Sequence, residues 1–111
     1  MKLVKEQHLF LLDIAKLIYF ADQQGIVLTA GECYRTNEQQ EIYVREGKSK
    51  TMNSNHRKRL AMDFNFFIDD ILTYDKEKLS VLGEYWESLN ENNKWGGFWK
   101  FVDSPHFERR V

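Results

Sequence analysis

The apolar positions of the chain follow two rhythms, and each predicts its own kind of element. Leu9, Leu12, Ile14, Ala15, Leu17, Ile18 and Ala21 recur at three- and four-residue intervals, which predicts an amphipathic helix over residues 4–24. Gly25 follows as its left-handed cap. Ile26-Val27-Leu28-Thr29 is short and β-branched and predicts a strand. Thr36-Asn37-Glu38-Gln39 has the form of a capping box, so a short helix should run from there to Arg45 and stop at Gly47. Residues 48–55 are polar and irregular, a loop. From 61 to 67 the rhythm changes to strict alternation, with Met62, Phe64 and Phe66 on one side and Ala61, Asp63 and Asn65 on the other, the mark of a strand. A turn lies within 68–76. Leu79, Leu82, Trp86 and Leu89 return to helical spacing and predict a second long helix over 78–90, closed by Asn92-Asn93-Lys94. Trp95-Gly96-Gly97-Phe98-Trp99 is an aromatic-rich glycine turn, and a last short strand follows Pro105 over 106–110. This order predicts an α+β fold, a single domain over 1–111, with helices packed on one face of a small antiparallel sheet.

Composition narrows the function classes. The 111 residues are 42% hydrophobic and 30% charged, with one Pro and six Gly, which fits a globular domain. Cys33 is the sole cysteine, so an internal disulfide and a Cys-rich zinc ribbon are both excluded. Net charge is −1, a poor attractor for nucleic acid or anionic membrane. Charge is uneven, with six basic and one acidic residue in 45–59 against seven acidic and two basic in 69–91. The basic run Arg57-Lys58-Arg59 is too thin a patch for nucleic-acid binding on its own. The apolar run near Leu9 is interrupted by Asp13 and Lys16 and falls far short of the roughly 20 residues that span a bilayer. The start of the chain lacks a small-residue cleavage site, so we expect synthesis in the cytoplasm without a signal peptide.

Two of the three histidines come with a carboxylate at short range. In Ser54-Asn55-His56 through Asp63, the histidine sits at the start of the alternating strand and the aspartate within it. A charge in so apolar a strand is exposed, paired or metal-bound, and small Ala61 beside it leaves room for approach. In Asp103-Ser104-Pro105-His106-Phe107-Glu108, Phe107 should face the core, which turns His106 and Glu108 the other way. Each segment alone also reads as an ordinary exposed strand face or a partly buried histidine. Taken together, His56, Asp63 and His106 form an N/N/O set that zinc accepts while keeping a fourth position for water. Asp103 would then be a carboxylate outside that set, free to move a proton. His8 has no such companion and reads as a surface residue.

The ordered set Ser54-x-His56-x6-Asp63, Trp95-Gly96-Gly97 and Asp103-x-x-His106-Phe107-Glu108 resembles the zinc peptidases of the D-alanyl-D-alanine carboxypeptidase and phage L-alanyl-D-glutamate endopeptidase family. Gly31-Glu32-Cys33-Tyr34-Arg35-Thr36 resembles an upstream element of that family, and residues 59–67 are similar to its phage-type branch. The resemblance implies a Hedgehog/DD-peptidase-like fold with one Zn²⁺ on His56, Asp63 and His106. It implies Asp103 as general base and proton donor, and Arg35 as a catalytic and substrate-binding group for a carbonyl or oxyanion. Ser54 and Gln39 would line the same pocket. Glu108 would orient a ligand histidine or form a surface salt bridge, and Arg35 too admits a plain salt-bridge reading. Trp95 and Trp99 read as core. Two departures stand out: much of the family has Gly where Arg59 stands, and an acidic residue often follows Trp-Gly-Gly where Phe98 stands here.

The same resemblance implies the substrate, the short peptides of bacterial peptidoglycan. The compact chain and phage-type motif favour an endolysin-like L-alanyl-D-glutamate endopeptidase, a monomer with no nucleic-acid or membrane partner, released to the wall after synthesis and with no room for an added wall-binding domain. The alternatives are a D-alanyl-D-alanine carboxypeptidase or dipeptidase, and a zinc-holding domain that binds without catalysis. The spare carboxylate Asp103 speaks against the last.

Overall fold

A computed structural model describes residues 2–49, 51–52 and 54–111. The first helix, α1 (Lys2–Gln23), leads into β1 (Val27–Ala30) and then the short α2 (Asn37–Arg45). After a loop come the central strand β2 (Ala61–Ile68), β3 (Ile71–Thr73) and α3 (Lys76–Leu89). Last are β4 (Asn93–Trp95), a 3-10 turn at Gly96–Phe98, and β5 (His106–Arg109). The five strands form one antiparallel sheet in the order β1-β2-β5-β4, with β3 folded back on β2 as a hairpin. The expected α+β architecture is therefore present. Among the described residues no helix is long and apolar enough to cross a membrane.

The alternation in β2 builds the core. Phe64 and Phe66 are buried on the face shared with Phe107, against Phe10, Ile14 and Leu17 of α1 and Leu79, Leu82 and Trp86 of α3. Phe107 is ringed by aromatics: Phe64, Phe66, Trp86 and Trp95 all lie with centroids 5.8–6.2 Å away. Edge-on and tilted aromatic contacts of this kind add to the free energy of burial itself. Helices α1 and α3 thus cover one face of the sheet, as expected. The short α2 stands apart from them and is tied by its side chains to the rim of the opposite face.

The structure departs from the sequence reading at α1, whose buried positions are Phe10, Asp13, Ile14, Leu17 and Ala21. Leu12 and Ile18, expected on the apolar face, are about half exposed, because the inward stripe runs through Phe10, Ile14, Leu17 and Ala21. Asp13 points inward because it has partners there. Asn93 Nδ2 donates to its carboxylate at 3.0 Å, and the Arg109 guanidinium lies 3.7 Å away. Arg109 also donates to Glu6 at 2.6 Å. These bonds tie the first helix to β4 and β5, since a buried charge is tolerated only when paired.

Two strands were not foreseen, β3 and β4, each only three residues long. Asp69 and Asp70 take left-handed backbone angles (φ 52° and 65°), as a two-residue hairpin turn requires. In β4, Asn93 and Trp95 are buried, and the Trp95 indole Nε1–H donates to Ser104 O at 2.8 Å. That ring presses on Gly83 of α3, where a Cβ would come within 2.0 Å of it. Glycine in a helix ordinarily costs about 1 kcal/mol against alanine. Here the sign should reverse, because the buried, hydrogen-bonded indole cannot yield and overpacking costs about 1–3 kcal/mol. Gly83→Ala should lower the thermal midpoint by roughly 5 °C; a calorimetric scan showing a rise would contradict this packing.

Candidate metal centre

The face of the sheet opposite the core carries a cleft of about 390 Å³. Strand pairing makes its floor: Asp63 of β2 lies opposite His106 of β5, and Ala61 opposite Glu108. Directly opposed residues on antiparallel strands project from the same face, so the register brings Asp63 and His106 together. The two strands also meet the Gly31–Arg35 segment. Gly31 N–H donates to Asp63 O, and Asp63 N–H to Glu32 O, both at 2.8 Å.

His56 precedes β2 in a turn over residues 55–59. Ser54 Oγ accepts from its N–H at 3.2 Å, and its carbonyl accepts from Arg35 N–H at 3.2 Å. The turn closes through Arg59, whose φ is 56°. That left-handed conformation explains why the resembled family often has glycine there, since a Cβ is disfavoured in it. The Arg59 guanidinium instead lies 4.1 Å from the centre of the Tyr34 ring, a favourable cation–π contact.

His56, Asp63 and His106 each offer a ligand atom to one point, all within 4.8 Å of one another. Asp63 Oδ1 lies 3.4 Å from His56 Nε2 and 3.2 Å from His106 Nδ1. Ligand atoms about 2.0–2.1 Å from a tetrahedral zinc lie about 3.3–3.4 Å apart, so the spacing fits a divalent ion. The far ring nitrogens are also engaged. His56 Nδ1 donates to Cys33 O at 2.9 Å, and His106 Nε2 donates to Glu108 Oε1 at 2.6 Å. Without a metal, His106 Nδ1 is hydrogen-bonded to Asp63 Oδ1; with one bound, Nε2 of His56 and Nδ1 of His106 would be the nitrogens free to ligate it, the usual way ligand histidines are oriented. Glu108 thus orients a candidate ligand and is also held by Asn55 Nδ2 at 3.1 Å and Arg110 Nε at 2.5 Å.

Arg35, Ser54 and Asp103 all line this cleft. The Arg35 guanidinium is clamped: Nε donates to Glu32 Oε1 at 2.6 Å, and NH1 to Gln40 Oε1 at 2.8 Å and Ser54 Oγ at 3.4 Å. Tyr43 adds a bond to Glu32 Oε2 and a ring 4.6 Å from the Arg35 carbon. Gln39, expected to line the pocket, lies outside the cleft, its backbone N–H donating to Thr36 Oγ1 at the helix start. The buried amide beside Arg35 belongs to Gln40, which also donates to Ser49 Oγ at 2.8 Å and to Thr51 O. Trp99, expected in the core, is half-buried in the cleft wall, its ring centre 5.1 Å from that of His106. Trp95 is core, and Phe98 packs on it at the surface rather than entering the cleft.

Asp103 owes its position to the Trp-Gly-Gly turn. Its N–H donates to Gly96 O at 2.9 Å, and its carbonyl accepts from His106 N–H at 3.1 Å. A Cβ on Gly96 would meet Asp103 O at 2.3 Å, so only glycine permits this approach. Loss of water in the cleft raises the Asp103 carboxyl above its ordinary range and the Asp63 charge adds to this, while His106, His56 and Arg35 oppose it.

The ion-pair chemistry of the metal-free centre sets a pH dependence. Burial lowers the His106 pKa, but bonds to Asp63 and Glu108 outweigh it and raise the value from 6.5 to about 9. Burial raises Asp63 and Glu108, but their bonds to histidine, and to Arg110 for Glu108, hold both below the ordinary carboxylate range. The raised histidine therefore stabilises the metal-free fold fully below pH 6.5, and this contribution fades as pH climbs through about 9. The two carboxylates contribute above their ordinary range and are lost in acid. Denaturation of metal-free protein should show stability falling between pH 6.5 and 9, and His106→Gln should flatten that fall. An unaltered slope in the variant would remove His106 as its source.

Comparison with known proteins agrees with this geometry. The peptidase family described as D-alanyl-D-alanine carboxypeptidase matches residues 47–109, which include all three candidate ligands and Asp103. The L-alanyl-D-glutamate peptidase of Listeria phage A118 is 33% identical over 99 residues, 84% of this chain and 34% of that protein. The chain therefore spans about a third of the length of that curated relative. The crystal structure of the Serratia marcescens L-Ala D-Glu endopeptidase ChiX shares the fold, with a TM-score of 0.71 at 23% identity over 88% of this chain and 78% of that one. With more than half of its length matched, site included, this chain belongs to the D-alanyl-D-alanine carboxypeptidase family of peptidases.

Proposed function

We propose that the chain is a zinc peptidase that cleaves the L-alanyl-D-glutamate bond of peptidoglycan stem peptides, acting as a monomer on the cell wall. The observation that carries this reading is the sharing of Asp63 Oδ1 by two oriented imidazoles, at tetrahedral ligand spacing, on the floor of a cleft that also holds Asp103 and Arg35. The choice of bond rests on the phage relative, named as an L-alanyl-D-glutamate peptidase.

His56, Asp63 and His106 would hold the ion, two neutral nitrogens and one carboxylate that leave room for exchangeable ligands. A bound zinc supplies Lewis-acid polarisation of the scissile carbonyl and a water acidic enough to react near neutral pH. Asp103 takes the proton from the attacking water and returns it to the departing nitrogen, a task helped by a carboxyl pushed above its usual range. Arg35 donates to the oxyanion that develops on the carbonyl. Glu32 and Gln40 hold the guanidinium in place, so little reorganisation is needed as charge appears. Ser54 supports both Arg35 and the His56 backbone.

The family description supports a second reading, removal of terminal D-alanine by a carboxypeptidase. Mass spectrometry of a peptidoglycan digest separates the two, since an endopeptidase releases peptides beginning with D-glutamate and a carboxypeptidase releases free D-alanine. His56→Ala and His106→Ala should each lose bound zinc and hydrolysis together. Asp103→Ala should retain zinc while turnover falls by about 10²–10⁴; a rate near that of the wild type would remove Asp103 as the base. Gly96→Ala should lower turnover by displacing Asp103, and because the Asp103 carbonyl it strikes also holds His106 N–H, zinc should bind more weakly as well.

A further inference from the structure

A second cavity, also about 390 Å³, is lined by residues 47–49 at the end of α2 and by Trp99, Phe101, Val102 and Asp103. It shares Lys48, Ser49, Trp99 and Asp103 with the metal cleft, so the two cavities adjoin with Asp103 in the lining of both. We propose that this second cavity is the subsite for the half of the peptide whose nitrogen departs, and that Lys48 selects a carboxylate on that residue. The inference rests on the peptidase reading above and goes beyond it by assigning direction and specificity.

Direction follows from the proton. The departing nitrogen must receive its proton from Asp103, so the chain attached to that nitrogen continues past Asp103 rather than back toward His56. The second cavity is the space on that path. Its Trp99, Phe101 and Val102 surface suits the methylenes of a side chain, and Lys48 at the junction supplies the positive charge.

Lys48 is the basic residue placed for this role. Its backbone is pinned, with Lys48 N–H and Ser49 N–H both donating to Tyr43 O at 2.8 and 3.1 Å. Its side chain is 68% exposed, and it forms a 3.6 Å ion pair with Glu46, which is half exposed. Exposed pairs of this kind are weak and readily exchanged, so a substrate carboxylate can replace Glu46. Arg110, also on the rim, lines only the metal cleft and is committed to Glu108 and to the Trp99 ring face. In an L-alanyl-D-glutamate bond the residue on the nitrogen side is acidic, which matches Lys48 in charge.

The test compares zinc-loaded wild type, Lys48→Met and Lys48→Glu on N-acetyl-L-alanyl-D-glutamate and its fully amidated counterpart. The wild type should favour the acid by about tenfold in kcat/KM, the worth of one charge-assisted hydrogen bond. Lys48→Met should bring that ratio near one through KM, and Lys48→Glu should invert it. Hydrolysis of the acid with the same ratio in all three proteins would overturn the Lys48 assignment and leave the peptidase reading standing. Hydrolysis of neither peptide by the wild type would overturn both.

Discussion

The pairing of β2 with β5 is the constraint on which the site depends. Asp63 and His106 are 43 positions apart, and only the register Asp63↔His106 brings them face to face. Because side chains alternate along a strand, a slip of one residue would turn Asp63 and His106 to opposite faces. The slip is opposed from the other side of the sheet. Phe107, Met62, Phe64 and Phe66 occupy the alternate positions, and moving them would take large aromatic rings out of the core. The aromatic core and the candidate metal centre are two faces of one register.

Around that pair the protein spends polar groups on orientation. The far nitrogen of His56 is held by a backbone carbonyl and that of His106 by a buried carboxylate. Glu108 is in turn held by Asn55 and Arg110, and Arg35 by Glu32, Gln40 and Ser54. In metal-free protein these contacts leave His106 protonated at neutral pH. A cation entering the site would replace that proton, so binding and proton release are coupled.

The Trp95-Gly96-Gly97 turn joins the core to the chemistry. Trp95 is buried against α3 and anchored to Ser104, while Gly96 lets Asp103 approach its backbone. The proton-transfer candidate is therefore carried by a loop fixed at both ends, and the same loop continues as the wall of the second cavity. This explains why a glycine pair that reads in isolation as a simple turn belongs with the site motifs.

Much was legible along the chain because periodicity is local. The alternation of residues 61–67 located β2 and the faces of Phe64 and Asp63, and the spacing of Leu79, Leu82 and Trp86 located α3. The ordered His56, Asp63, Asp103 and His106 motifs named one site before any contact was known. What tertiary structure decided was everything whose stability comes from a distant partner. Strands of three residues such as β3 and β4 have no period to read and form because β2 and β5 are there to pair with them. Asp13 faces inward because Asn93, 80 residues away, awaits it. Gln40 rather than Gln39 reaches Arg35 because a helix turns about 100° per residue and the packing of α2 selects the face. Trp99 lies in the cleft wall rather than the core because it follows the 3-10 turn that carries the chain away from buried Trp95 at the end of β4. Sequence carries the identity and order of the groups; the sheet register and the helix rotation decide which of them meet.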